Sequence, residues 1–368
     1  MVDRELLKTL YSDSDKALSL TFTHADKVWV MPECAVEGAM EMYQPSSRGG
    51  ECLKKNVIKK HKTPFYARGS KVEETNLELN IEVRKQLEEL LGITDFYVAT
   101  YMGDKSTSQN DKAVLQIYSD EEIYAYVKVT TNVDNAKRFE KEANALKKLN
   151  DLGIGCVPRV IGLDLDSIVK MFAQSNEKPL GQKVKIEFSS QILDTVKTIV
   201  EKTTKDIEYK DSDFCQSVEY LKEHKEIFDK EQQTIVDEAI SMVEETDLTF
   251  AFSHGDLTPW NVYYAKDEIR IFDLEYCSES MPAYIDIFHY LSQMMLLGNR
   301  YTAQCVMREY EHQLELISEY VDNPKITFIC YLVWIISFYI KRTSDIESVR
   351  EKLDVWVEML EYLIKYLK

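Results

Sequence analysis

Two short motifs in the second half of the chain constrain its fold most. The segment 254–261 reads HGDLTPWN, and the segment 271–275 reads IFDLE. Asp256 can accept a proton from an attacking hydroxyl, and the oxygens of Asn261 and Asp273 are hard ligands that suit Mg²⁺ better than Zn²⁺. Asp273 also ends an apolar strand, predicted over Glu268–Phe272. The motifs therefore predict a fold that presents two loops for magnesium-dependent phosphoryl transfer.

The order of these motifs resembles a kinase signature, in which an HxD loop with Asn five residues later precedes an Asp-led turn. Gly255 stands where protein kinases have Arg, and Leu274-Glu275 stands where they have Phe-Gly. The motifs instead resemble those of the aminoglycoside phosphotransferase and choline kinase family, which carries HGDxxxxN and then Asp-hydrophobic-Glu. Asp286 resembles that family's downstream aspartate, which braces the catalytic loop. The resemblance covers about residues 90–368.

This resemblance implies an α+β, protein-kinase-like bilobal fold. Residues 76–172 are expected to form an antiparallel-sheet N-lobe and residues 173–368 a helical C-lobe with the catalytic loop. ATP and Mg²⁺ are the implied cofactors, with Asn261 and Asp273 as metal ligands. Asp256 is the implied catalytic base, and His254 is expected to stabilise the loop through hydrogen bonding.

A lysine that holds the nucleotide phosphates is expected on a strand, with a helical glutamate that holds the lysine. The segment Glu122–Val129 is rich in aromatic and β-branched residues, which predicts a strand, and it contains Lys128. A helix is predicted from about residue 134 to 150, after the cap candidates Thr131 and Asn132. Glu142 on this helix is the favoured partner of Lys128, and Glu140 is the competing candidate.

Two strands are predicted before Lys128, at Phe96–Met102 and Ala113–Tyr118. The loop between them contains one glycine and no GxGxxG, which excludes a glycine-rich phosphate loop of the protein-kinase or Walker type. Ser106, Thr107 and Ser108 could still contact phosphate oxygens, although the loop without the downstream motifs favours a plain hairpin turn.

A second strand pair is predicted after the helix, at Arg159–Asp164 and Ser167–Phe172. By position, the main chain around Lys170, Met171 and Phe172 is expected to bind adenine, as the hinge of such a kinase.

Composition limits the partners and the compartment. The net charge of −18 argues against nucleic acid as a partner. Seven scattered cysteines without a CxxC pattern are typical of reduced cytosolic thiols. The apolar stretch Ile326–Ile340 is short for a membrane span and predicts a buried helix. Histidines other than His254, including His289, are expected to be packing or surface residues.

Residues 1–75 are expected to form an additional N-terminal α/β module. Strands are predicted at Leu18–Thr23 and Lys27–Met31, around a turn, and a helix is predicted from Glu33 to Tyr43. Between residues 52 and 72 there are seven Lys or Arg residues and no acid. The cluster formed by Lys54, Lys55, Lys59 and Lys60 is either a solvated face or a site for an anionic membrane or a phosphorylated substrate.

The rest of the chain is predicted to be helical. Candidate helices lie near residues 187–204, 212–228, 230–246, 282–298, 301–321, 325–341 and 345–367. Ser344 and Glu347 form a capping-box pattern before the last helix.

A small-molecule kinase is the favoured function. A carbohydrate or glycoconjugate acceptor is the first expectation, because the motif resembles family members associated with polysaccharide pathways and the N-terminal module suits a bulky acceptor. An aminoglycoside or choline-type acceptor is the alternative that the acidity favours. A nucleotide-binding pseudokinase scaffold is the alternative of another class.

Overall fold

The computed structural model describes residues 5–15, 18–45, 47–63, 67, 69–103, 111–178, 185, 187–265, 268–298 and 300–365. The chain divides into two compact units: the first comprises Met1–Val184 and Tyr263–Glu275, and the second comprises Lys185–Val262 and Tyr276–Lys368. The predicted division into three parts, with boundaries near residues 75 and 172, stays a prediction.

The strands in chain order are β1 (Tyr11–Asp13), β2 (Ser19–His24), β3 (Lys27–Pro32), β4 (Ser70–Thr75), β5 (Leu77–Leu79), β6 (Tyr97–Met102), β7 (Lys112–Tyr118), β8 (Ile123–Thr130), β9 (Val160–Asp164), β10 (Lys170–Ser175), β11 (Phe250–Ser253), β12 (Val262–Ala265), β13 (Glu268–Ile271) and β14 (Ser278–Pro282). The α-helices are α1 (Glu5–Leu10), α2 (Val36–Ala39), α3 (Arg48–Lys60), α4 (Ile81–Leu91), α5 (Val133–Asp151), α6 (Ser190–Thr203), α7 (Asp213–Glu223), α8 (Lys230–Glu244), α9 (Ile285–Leu297), α10 (Ala303–Ser318), α11 (Pro324–Arg342) and α12 (Arg350–Lys365).

An eight-stranded antiparallel sheet forms the centre of the first unit, in the order β4-β2-β3-β6-β7-β8-β10-β9. Successive side chains of a strand point to opposite faces. Ala125, Val127 and Val129 of β8 therefore share one face, where they join a buried core that includes residues of α1 and α4. The same alternation directs Lys128 to the other face. The antiparallel sheet, followed in sequence by a mainly helical unit, confirms the predicted α+β class.

The sequence offered two candidate N-cap residues for α5, Thr131 and Asn132. The side chain of Asn132 accepts hydrogen bonds from the backbone nitrogens of Asp134 and Asn135. These bonds satisfy two of the amide groups that a helix leaves unpaired at its start, so Asn132, and not Thr131, fixes where α5 begins.

The N-terminal residues extend the same sheet. The predicted strand pair is confirmed as β2 and β3, joined by a turn at Ala25 and Asp26, which have φ values of 47° and 62°. The single helix predicted from Glu33 to Tyr43 is wrong, because α2 spans only four residues between two short 3₁₀ segments. Packing on the sheet overrides helix propensity here: a Cβ atom on Gly38 would lie 2.6 Å from the ring of Tyr118 in β7.

The second unit contains α6 to α12 and the antiparallel pair β11–β14. The predicted helices are present, with ends that shift by a few residues. The predicted capping box at Ser344 is wrong. The side chain of Asp345 accepts from the backbone nitrogen of Glu347, and a 3₁₀ turn, Ile346–Val349, precedes α12. Asp345 is the cap because its short carboxylate bonds the amide two residues ahead.

The apolar segment predicted as a buried helix is α11. In the described part of the chain, it is the one helix whose length and composition would also suit a membrane span. About 61% of its most apolar 18-residue stretch is buried inside the protein. It packs against α7, α8, α9 and α12. This packing is the environment that the sequence predicted for it.

Candidate active site

Lys128 lies in a buried cluster of charges within the first unit. Its Nζ is 2.8 and 2.6 Å from the two carboxylate oxygens of Glu142, and 2.5 Å from Oδ1 of Asp273. The Glu142 side chain is completely buried, whereas 30% of the Asp273 side chain is exposed. The structure therefore pairs Lys128 with Glu142, the partner that the sequence favoured over Glu140, and adds a second carboxylate to the pair.

The backbone around Asp273 explains how that carboxylate reaches the lysine. Asp273 follows β13 with a φ of 68°, a left-handed conformation that residues other than glycine rarely adopt. The next backbone nitrogen, that of Leu274, donates to Oε1 of Glu142 at 3.1 Å. Glu142 thus accepts bonds from both the lysine and the turn, so α5, β8 and the turn after β13 are fixed to one another.

The electrostatics of the cluster favour a charged lysine. Burial alone would lower the pKa of Lys128, but the carboxylates of Asp273 and Glu142 outweigh it and raise the pKa above its ordinary value. A permanently positive group is therefore held beside an accessible carboxylate. Such a group can bind an anion such as a nucleotide phosphate.

The first unit also contains a polar contact between its N-terminal residues and the strand that follows the catalytic motif. Tyr263 stacks on Phe272, with ring centroids 4.4 Å apart, and accepts a hydrogen bond from Gln44 at 3.1 Å. Lys178 lies over the same tyrosine ring, and burial lowers its pKa to about 8. Gln44, which precedes position 75, therefore contributes to the surroundings of Phe272 in the second motif, within the first unit.

The predicted catalytic loop lies in the second unit. The Asn261 side chain donates through Nδ2 to both the backbone oxygen and Oδ2 of Asp256, each at 3.0 Å. A single 3₁₀ turn, Pro259–Asn261, brings the two residues together. About 29% of the Asp256 side chain is exposed, so it is accessible to a substrate.

Asp286, at the start of α9, holds the beginning of this loop. Its Oδ1 accepts from the hydroxyl of Ser253 at 2.9 Å and from the Gly255 nitrogen at 3.1 Å, and its Oδ2 accepts from the His254 nitrogen at 2.8 Å. These contacts are those of a bracing aspartate.

Gly255 has a φ of 75°, and a Cβ atom there would lie 2.3 Å from the backbone oxygen of Tyr276, so no larger residue fits.

His254 is 2% exposed, and its Nδ1 accepts a hydrogen bond from the backbone nitrogen of Asp256 at 3.2 Å. The ring therefore fixes the loop main chain directly before the candidate base. This geometry agrees with the loop-stabilising part expected of it.

His289 is the residue that sequence reasoning missed. It lies on α9, is 3% exposed, and places Nε2 3.3 Å from Oδ1 of Asp256. A signal was present in the sequence: His289 follows Asp286 by three residues, and residues at that spacing share one face of a helix. A brace at Asp286 therefore implied a second loop contact one turn later.

The main chain of Lys170, Met171 and Phe172 is not placed as the hinge prediction required. These residues pair with β8, and Met171 and Phe172 also pair with β9, so the two ladders use their main-chain groups. The strand β10 runs to Ser175. After the strand, the backbone nitrogen of Lys178 donates to Oδ1 of Asn176 at 2.9 Å. Ser106, Thr107 and Ser108 lie outside the described residues.

No protein-family model matches the chain, and no curated protein matches it. Solved structures that are similar to it include three small-molecule kinases. The first is the ADP-bound aminoglycoside phosphotransferase APH(2'')-Ib, with a TM-score of 0.44 and 13% identity over 77% of this chain and 99% of the other.

The second is a putative fructosamine-3-kinase from Haemophilus somnus 129PT, with a TM-score of 0.44 and 14% identity over 76% of this chain and 96% of the other. The third is a choline/ethanolamine kinase family protein from Mesorhizobium loti, with a TM-score of 0.46 and 16% identity over 78% and 95%. These are the kinds of kinase that the sequence motifs resemble. At such scores the function has to be inferred from the side chains themselves.

Proposed function

We propose that this protein is an ATP- and Mg²⁺-dependent phosphotransferase that phosphorylates a hydroxyl group of a small molecule. The observation that carries the proposal is the buried contact of Lys128 with both Glu142 and Asp273. A lysine held in this way supplies a fixed positive charge for phosphate beside a carboxylate that can bind a metal ion. The catalytic loop of the second unit supplies the accessible carboxylate that the same reaction needs.

In the proposed mechanism, Lys128 binds the α and β phosphates of ATP, and Glu142 keeps the lysine in place. Asp256 orients the acceptor hydroxyl and takes its proton as the acceptor oxygen forms a bond to the γ phosphorus. The bond between that phosphorus and the β–γ bridging oxygen breaks, and ADP leaves.

Asn261 and Asp273 fit the role of magnesium ligands. Both offer hard oxygen atoms, and the nitrogen of the Asn261 amide is already bonded to Asp256, so its oxygen is the atom that would face a cation. Mg²⁺ held by these oxygens would neutralise the charge that develops on the phosphates. Because β10 ends at Ser175 and the main-chain groups of Lys178 are bonded to the Asn176 side chain, we assign contact with the adenine base to the main chain of Asn176 and Glu177 in place of Lys170, Met171 and Phe172.

A carbohydrate or glycoconjugate is the proposed acceptor, and the reduced cysteines favour a cytoplasmic location. The test is ATP consumption by the purified protein with a panel of sugars, amino sugars, aminoglycosides and choline. We expect magnesium-dependent phosphate transfer to a sugar hydroxyl, identified by mass spectrometry of the product. Transfer to choline or an aminoglycoside alone would replace the proposed acceptor class and leave the reaction intact.

A nucleotide-binding pseudokinase is the alternative of another class. It predicts binding of Mg-ATP without turnover on any acceptor or on water. The accessible Asp256 carboxylate favours an enzyme, because a scaffold has no need of an exposed base.

The basic cluster on α3 is proposed as a contact for an anionic membrane or a phosphorylated substrate. Lys55 and Lys59 are exposed, whereas Lys54 is paired with Glu41 at 2.8 Å; the Lys60 side chain lies outside the description. We expect that replacing Lys54, Lys55, Lys59 and Lys60 by Gln weakens co-sedimentation with phosphatidylserine vesicles at low salt, because each lysine near such a surface contributes about 1 kcal/mol.

A matched control replaces four exposed lysines of α5, namely Lys137, Lys141, Lys147 and Lys148, by Gln. It changes the net charge equally on another surface. Equal vesicle binding and equal kinetics for the wild type and the α3 variant would remove both proposed roles of the cluster.

A further inference from the structure

The candidate base Asp256 is held by two side chains, and the second of them is a buried imidazole. Asn261 donates to Oδ2, and Nε2 of His289 lies 3.3 Å from Oδ1. An ionised carboxylate can only accept hydrogen bonds, so the hydrogen of a neutral imidazole must lie on Nε2 in this contact. Donors on both oxygens fix the rotation of the carboxylate about its Cβ–Cγ bond.

The other ring nitrogen of His289, Nδ1, indicates why a histidine occupies this position. Nδ1 is buried, and in the described part of the chain it has no hydrogen-bond partner. Burying a polar atom without a partner costs roughly 1–3 kcal/mol. A residue that only filled this space would be better as Leu or Phe, which carry no such cost. The bond to Asp256 is therefore the interaction that accounts for a histidine at this position.

The orientation of the ring is set by packing in the second unit. Tyr331 and Trp334 of α11 meet the imidazole edge to face, with ring centroids at 5.7 and 5.8 Å and interplanar angles of 63° and 71°. Both aromatic residues are themselves buried. Contacts of this kind restrict rotation of the ring, so that Nε2 remains directed at the carboxylate.

The first two turns of α9 therefore each contribute one contact to the catalytic loop. Asp286 binds the main chain of His254 and Gly255, and His289, one turn later, binds the side chain that reacts. We propose that His289 is a positioning residue, which holds Asp256 through its Nε2 hydrogen so that the free lone pairs of the carboxylate face the acceptor hydroxyl. This inference rests on the proposed function, since it assigns a helper to the base of that reaction.

Two substitutions separate positioning from packing. In His289→Gln, the side-chain amide nitrogen can reach the place of Nε2, whereas His289→Leu fills similar space without a donor. We expect His289→Leu to lower kcat for magnesium-dependent ATP hydrolysis by about 10- to 100-fold, because small misplacement of a reacting group has effects of this size. KM for Mg-ATP should change little, and His289→Gln should recover most of kcat.

The control is Ser241→Ala, which removes an exposed hydroxyl from α8 of the same unit. Phosphate release is measured with water as acceptor, so no knowledge of the natural acceptor is needed. Wild-type kcat in His289→Leu would overturn the proposal, as would a folded His289→Gln that is no better than His289→Leu. If His289→Leu does not fold, the Gln variant and the spectroscopic test still decide whether His289 positions Asp256.

The spectroscopic test is independent of activity. In protein labelled with ¹⁵N-histidine, two-bond ¹H–¹⁵N spectra should show a hydrogen on Nε2 of His289, and Asp256→Ala should shift the His289 resonances while Ser241→Ala should not. An Nδ1–H tautomer, or no response to Asp256→Ala, would overturn the inference. A wild-type protein without any turnover would instead contradict the proposed function, and the spectra would still report on the hydrogen bond.

Discussion

Replacing Asp256 by Asn is expected to lower the rate of phosphate transfer by about 10²- to 10⁴-fold, the usual contribution of a positioned base. The amide is nearly isosteric with the carboxylate but cannot take up the hydroxyl proton. It would also turn an NH₂ group towards one of the two donors, Asn261 or His289, where the native carboxylate accepts from both. Binding of Mg-ATP should survive, because Lys128 and Glu142 are unchanged.

Rates are measured under single-turnover conditions, and nucleotide affinity is measured by calorimetry. Asp247→Asn is the matched control, because it makes the same chemical change at an exposed carboxylate of the same unit. An Asp256→Asn variant that retains transfer within a few-fold of the wild type would exclude Asp256 as the base.

Replacing Lys128 by Met should remove activity and also destabilise the first unit. The variant loses the phosphate-binding charge and leaves the completely buried carboxylate of Glu142 without its counter-ion. Removing one partner of a buried ion pair costs roughly 3–5 kcal/mol, so we expect a loss of unfolding free energy of about that size in urea at neutral pH.

The double variant Lys128→Met/Glu142→Gln separates the two effects. A neutral amide in place of Glu142 removes the uncompensated charge and can still accept the hydrogen bond from the Leu274 nitrogen. Stability should therefore recover in part while activity stays absent. Recovery of transfer in the double variant, or wild-type stability in the single variant, would contradict the part assigned to the pair.

Local patterns in the sequence were sufficient to predict the strand and the helix that carry Lys128 and Glu142. The aromatic and β-branched residues of Glu122–Val129 predicted β8, and the three-and-four spacing of apolar residues predicted α5, on which Glu142 lies. The family resemblance implied Glu142 as the partner of Lys128, and the structure brings the two side chains together. Asp286 was recognised as a brace through its place after the second motif, and its three accepted bonds are of that kind.

Errors arose where contacts distant in sequence override local preference. The predicted helix from Glu33 to Tyr43 is divided into α2 and two 3₁₀ segments, in a segment where Gly38 packs closely against Tyr118, eighty residues later in the chain. The hinge prediction missed that Met171 and Phe172 pair with strands on both sides, because the extent of β10 depends on its pairing with β8 and β9, which its own residues do not reveal.

The sequence by itself determined which residues are candidates to take a proton, bind phosphate or coordinate Mg²⁺, and it predicted the strands and helices that carry most of them. Only the tertiary structure decided the contacts between those groups, such as that of Lys128 with Asp273, 145 residues away, and that of His289 with Asp256. The physical reason is the distance along the sequence over which each kind of interaction acts. Periodicity and capping depend on neighbours within a few residues, whereas the direction and burial of a side chain depend on whatever the rest of the chain packs against it.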